Sequence, residues 1–127
     1  MDRASESYRQ SSLEGEEPSL EWIEKGWRAI ALYLTQAADA VHEDDRQRKL
    51  DMVDKALKLL EFLIAITPGE SPNKLGKALS DLYRNVHLAI VDANARNDAQ
   101  ALRRAREDIL SIETEVRKTH DLKGPRP

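Results

Sequence analysis

The stretch Leu79-Ser80-Asp81-Leu82-Tyr83, continued through Ala93-Asn94 to Asn97-Asp98, decides the fold because it joins an apolar helix to a defined stop. Leu75, Leu79, Leu82, Val86, Ala89 and Ala93 recur at spacings of three and four, with Tyr83 and Ile90 beside them. That periodicity predicts the buried face of a long amphipathic helix. Asn94 and Asn97-Asp98 then supply residues suited to ending this helix and capping another.

The same spacing recurs on both sides of this stretch. A first helix is expected to begin near Pro18-Ser19, to carry Leu20, Ile23, Trp27, Ile30, Leu34, Ala37 and Val41 inward, and to end around His42–Asp44. Asp44 or Asp45 caps a second helix, which runs to about Thr67 before Pro68-Gly69 stops it. Ser71-Pro72 marks the third start, with serine as cap and proline in the first turn. A fourth helix, from about Asp98 to Thr119, buries Leu102, Ala105, Ile109, Ile112 and Val116. Each helix would be about 30–36 Å long at 1.5 Å per residue. Short connections between helices of matched length favour antiparallel neighbours. The expected fold is therefore all-α, an antiparallel up-down-up-down four-helix bundle with a flexible N-terminal tail. Residues 1–17 form that tail, 18–120 the bundle domain and 121–127 a disordered C-terminal end.

Composition narrows the function classes. At 127 residues and 40% hydrophobic, the chain is long enough for one cored domain. It holds no cysteine, so a disulfide framework and a thiolate metal site are both excluded. No apolar run is long enough to span a membrane and no charged-then-apolar signal opens the chain, so a cytoplasmic protein without membrane insertion is the simplest reading. Residues 1–19 hold five acids and two bases, whereas the remainder carries eighteen of each sign. A neutral body has no strong electrostatic reason to bind nucleic acid. Arg96, Arg103, Arg104 and Arg106 cluster near the start of one helix, but Glu107 and Asp108 follow at once, which reads as a solvated face.

No cofactor or metal is expected, and an enzyme is not. A di-iron bundle needs two inward Glu-x-x-His pairs plus two further glutamates. The nearest approach here is Asp39-x-x-His42 at a helix end, while His87 and His120 stand alone. No Ser-His-Asp arrangement assembles, and Pro68-Gly69-Glu70-Ser71 is too short to cradle a phosphate.

The second helix carries more apolar surface than one core contact uses. Leu50, Val53, Leu57, Leu60 and Ile64 form one stripe, and Met52, Ala56, Leu59, Leu63 and Ile66 another. With Phe62 they cover an arc of about 240°, against little more than about 100° for a simple core-facing helix. Leu88 and Val91 on helix three, and Trp22, Leu32 and Tyr33 on helix one, lie similarly off the main seams. Such a surplus suits a groove for a partner's amphipathic helix, or equally a broad core or a homodimer face.

The pattern Leu-x-x-Leu-Tyr, nine residues, Ala-Asn, three residues, Asp resembles the third helix and following turn of the FliS family. Tyr8-Arg9-Gln10-Ser11-Ser12-Leu13-Glu14, with Pro18 ten residues after Tyr8, is similar to the family's N-terminal tyrosine segment. Lys55-Ala56, Leu59-Leu60 and Leu63 resemble its second helix, and Asp98, Leu102 and Ala105 its fourth. The first helix departs from the family's Met-Leu-Tyr-(Asp/Asn)-Gly-Ala-Leu run, reading Lys25-Gly26-Trp27-Arg28-Ala29-Ile30-Ala31, and Val116 stands in the approximate register of a tryptophan often found in the last helix.

The resemblance implies a flagellin-specific export chaperone. Its partner would be the C-terminal helical region of flagellin, while contact with the flagellar export gate is a point the sequence leaves open. It also implies that Tyr8 and Leu13 belong to a movable tail that lies on the body and is displaced by cargo. The arc analysis adds Leu57, Ile64, Leu88 and Val91 as groove residues. The alternative is a self-associating helical-bundle adaptor or scaffold that does not bind flagellin.

Overall fold

The computed structural model describes residues 19–67 and 74–122, with side chains described over 19–67 and 76–118. Four helices follow one another: α1 Leu20–His42, α2 Arg46–Ile66, α3 Lys74–Arg96 and α4 Ala99–Leu122. The segment expected as a tail, with Tyr8 and Leu13, the Pro68–Ser71 connection and the Ser71-Pro72 start lie outside the described residues, as does the side chain of Leu75. Each helix packs against the two next to it in a ring closed by α1 and α4. The direction of each is fixed by cross-links between its neighbours. On α1 and α4, Glu24 pairs with Arg117, Arg28 with Glu113 and Asp39 with Arg103, so one chain runs up as the other runs down. Glu61 meets His87, and Lys49 meets Asn94 and Asn97, which sets α2 and α3 antiparallel in the same way. The bundle is up-down-up-down, as the helix lengths and connections imply.

The helix ends obey local chemistry. Ser19 caps α1 by accepting a hydrogen bond from the Trp22 amide at 3.1 Å. The α1–α2 and α3–α4 corners then repeat one motif. The Asp45 amide bonds to the Ala40 carbonyl and the Asp44 amide to that of Val41, while the Asp98 amide bonds to Ala93 and that of Asn97 to Asn94. Asp44 and Asn97 sit at φ 55 and 53, the left-handed position that closes such an ending. The next residue, Asp45 or Asp98, caps the following helix through its carboxylate, on the Arg48 and Ala101 amides respectively. α4 continues to Leu122, three residues past the expected stop at Thr119.

The core contains most of the apolar positions expected on α1 and α4. Trp27, Ile30, Leu34, Ala37, Leu102, Ala105, Ile109 and Ile112 are buried, and Leu20, Ile23, Val41 and Val116 pack partly buried against them. α3 departs from the expected face. Its buried residues are Ser80, Tyr83, Val86, Ile90 and Ala93, with Leu79 half-buried, whereas Ala89 is exposed and Leu82 is 46% exposed. The physical reason is a hydrogen bond that crosses the bundle. The Trp27 Nε1–H donates to the Tyr83 hydroxyl at 2.7 Å, with both side chains fully buried. An aromatic pair of this size fills the interior only with each polar tip satisfied, and turning Tyr83 inward carries the adjacent Leu82 out to the flank. Among the described residues α1 packs most extensively and α3 least, so both flanks of α3 remain open.

Candidate functional site

Leu50, Leu57 and Ile64 follow at intervals of seven on α2, which brings them to nearly one line along the helix, about 21 Å from end to end. That line lies on the flank turned to α3, beside the Glu61 and Lys49 contacts. Leu50 is exposed, while Leu57 and Ile64 are half-buried and rest on the core. On the facing helix, Val91 stands one turn beyond His87, whose ring Nε2 meets the Glu61 carboxylate at 2.9 Å. Leu88, at 66% the most exposed large apolar side chain among the described residues, lies further round toward solvent. The four sequence-expected groove residues thus fall on adjoining flanks of α2 and α3, two supported by the core and two open to water.

The other flank of α3 carries a groove that sequence reasoning missed. A cavity of about 520 Å³ lies between α3 and α4, floored by Leu79, Leu82, Val86, Ile112 and Val116. Asn85, Asp108, Ser111 and Glu115 form its rim. Each floor residue fits the buried periodicity of its own helix, which predicts a core position for it. The available signal was joint: neighbours in sequence point about 100° apart, so on a helix with a narrow buried arc an inward Tyr83 leaves Leu82 at the edge.

Electrostatics along the α1–α4 seam are structural. Glu24, with only 4% exposure, is held by Arg117 and Arg28, and Glu113 lies between the same two arginines. The hydrogen bond from Arg28 holds the Glu113 carboxyl below its ordinary range, assisted by Arg28 charge and by Arg117. Asp98 is lowered chiefly by the Ala101 amide it accepts from as an N-cap. Burial pushes the Tyr83 phenol well above its usual value, against the Trp27 hydrogen bond, so it stays neutral and serves as an acceptor. At the corner end, Lys49 donates to the Asn94 carbonyl and the Asn97 side chain, placing its charge at the C-terminus of α3 where the helix dipole favours it. The arginines near the start of α4 are largely occupied: Arg103 with Asp39, Arg106 with Glu107, and Arg96 with Asp92. His42 accepts from Arg103 at 3.1 Å, and among the described residues no group of acidic or histidine side chains is placed to hold a metal ion. No helix among them is long and apolar enough to cross a membrane.

By geometry the protein is a four-helix bundle that keeps apolar side chains exposed on both flanks of one loosely packed helix. The family model described as flagellar protein FliS matches residues 1–119, and the chain belongs to that family. Membership makes the protein a non-enzymatic chaperone of flagellin export, with flagellin as its partner. No curated protein matches the chain.

Proposed function

We infer that the protein lays the C-terminal helical segment of flagellin along the α2–α3 face and thereby prevents premature polymerisation before secretion. The observation that carries this reading is the distribution of exposed apolar side chains. Of the five large ones among the described residues, Leu50, Leu88 and Val91 belong to this face. Leu57 and Ile64, seated on the core, provide its fixed floor. Full burial of one such side chain contributes about 1.5–3 kcal/mol, so an amphipathic helix meeting several of them is held without any covalent or ionic anchor. The same stripe of the cargo would otherwise pack against neighbouring subunits in a filament, so occupying it blocks assembly.

Tyr8 and Leu13 belong to the matched stretch and act in this reading as a segment that covers apolar surface until cargo displaces it. The chaperone works in the cytoplasm, and the loaded complex is what meets the export gate. The direct test mixes the full chain with flagellin monomer under polymerising conditions and follows filament growth by light scattering. Equimolar chaperone is expected to abolish growth, and the Leu88→Asp variant to restore it. Unimpeded growth, with the chaperone self-associated, would favour an adaptor bundle instead.

A further inference from the structure

The α3–α4 groove plays no part in the cargo site just described, yet it has the form of a docking surface. Its floor is apolar, with Leu82 46% exposed between Leu79 and Val116. Its charged lining is of one sign: Asp108 and Glu115 stand on the α4 bank, and the α3 bank contributes the neutral Asn85. Asp108 makes no ion pair among the described residues, and one of the contacts of Glu115, to Lys118 at 3.7 Å, is a highly exposed pair that is weak by its nature. The two carboxylates are seven residues apart, which places them on one line of α4 about 10 Å from each other.

We propose that this groove binds an amphipathic helix of a partner protein whose apolar stripe is bordered by two basic residues spaced by one heptad. Leucine-type side chains of that helix fill the space over Leu82 and Val116, and its lysines or arginines meet Asp108 and Glu115. An exposed apolar floor supplies affinity, while a bank of one sign selects the partner and its orientation. The heptad spacing on the bank matches the heptad spacing on a helix laid parallel to it, so both pairs form together. Residues 1–18 of this chain fit poorly as occupants, because five acids against the two bases Arg3 and Arg9 bring a net negative charge to an acidic bank.

The test uses two fluorescein-labelled helical peptides about 18 residues long with identical leucine stripes. One carries lysine at the two edge positions a heptad apart, the other glutamate. Anisotropy is read with the full chain at low salt. The lysine peptide is expected to bind about tenfold more tightly or better, and the gap to narrow at high salt. The double variant Asp108→Lys and Glu115→Lys, which alters only surface charge, is expected to reverse the preference. Leu82→Asp should weaken the lysine peptide about tenfold or more, while Leu88→Asp on the opposite flank of α3 leaves it unchanged. Equal binding of the two peptides, an unreversed preference, or loss through Leu88→Asp alone would overturn the proposal. Tighter binding on removal of residues 1–18 would assign the groove to the chain's own N-terminal segment, and a dimer that Leu82→Asp dissolves would assign it to a second copy; either result overturns the proposal as well. The α2–α3 face can hold either leucine stripe, so both peptides are also measured in the Leu88→Asp background, where a preference for the lysine peptide that persists is independent of the cargo reading.

Discussion

Replacing Tyr83 with phenylalanine is the most revealing single-atom perturbation of this bundle. Phenylalanine keeps the ring, so no large cavity opens, but the Trp27 indole N–H loses its acceptor inside a core where both residues are fully buried. A buried donor left without a partner costs about 1–3 kcal/mol. For a domain of this size that corresponds to a fall in Tm of about 3–6 °C per kcal/mol. Urea unfolding followed by tryptophan fluorescence measures the loss directly, and the cycle with Trp27→Phe isolates the bond, with an expected coupling of about 1 kcal/mol. A second readout comes from alkali. The Tyr83 pKa is raised in the folded state, so its contribution is fully present below the ordinary phenol value of about 10 and lost as pH rises beyond it. The gap between parent and variant should therefore shrink above pH about 10. The consequence reaches function, because this bond orients α3 and with it Leu82, Leu88 and Val91. A variant within about 0.3 kcal/mol of the parent, with no coupling to Trp27, would refute the claim that the bond sets the rotation of α3.

Other expectations follow from the same geometry. Leu88→Asp should leave the circular dichroism spectrum and Tm nearly unchanged while weakening flagellin binding by about 1.5–2 kcal/mol, or roughly 10- to 30-fold by titration calorimetry. Leu57→Asp should weaken binding as well but also lower Tm, since that side chain is half-buried against the core. Arg117→Met should lower Tm more than Glu24→Gln, because the first leaves a buried carboxylate with only the longer Arg28 contact, whereas the second removes the buried charge. The depressed Glu113 pKa contributes stability that is present above the ordinary carboxylate range and lost as pH falls through the folded value. Denaturation between pH about 5 and 2 should thus show a smaller acid loss for Glu113→Gln than for the parent.

The helix ends were legible because their chemistry is local. Ser19, Asp45 and Asp98 announce caps by residue type alone, and each makes the expected side-chain bond to the amide three residues on. The seam of α4 was legible because its apolar stripe is narrow, and that of α1 because Trp27, Ile30 and Leu34 centre a wider arc that also buries Ala31, Ala38 and Ala40. α3 was not, since Leu82 and Tyr83 are adjacent and periodicity gives the width of an apolar arc but not its centre. The deciding partner, Trp27, lies 56 residues away in sequence. The α3–α4 groove stayed hidden for the related reason that a helix read singly assigns every periodic leucine to the core. The surplus on α2 was visible, yet the division between supported Leu57 and Ile64 and exposed Leu50 depends on contact with two neighbouring helices. In α3, exposed Leu88 and Val91 needed no such knowledge, because they lie opposite or beside any buried face the helix can choose.

The most direct test of the central claim is light scattering in line with size exclusion on the full chain mixed with the C-terminal segment of flagellin from the same genome. The account predicts a one-to-one complex that Leu88→Asp disrupts while the variant remains folded. A chain that elutes unchanged beside free flagellin segment would contradict it.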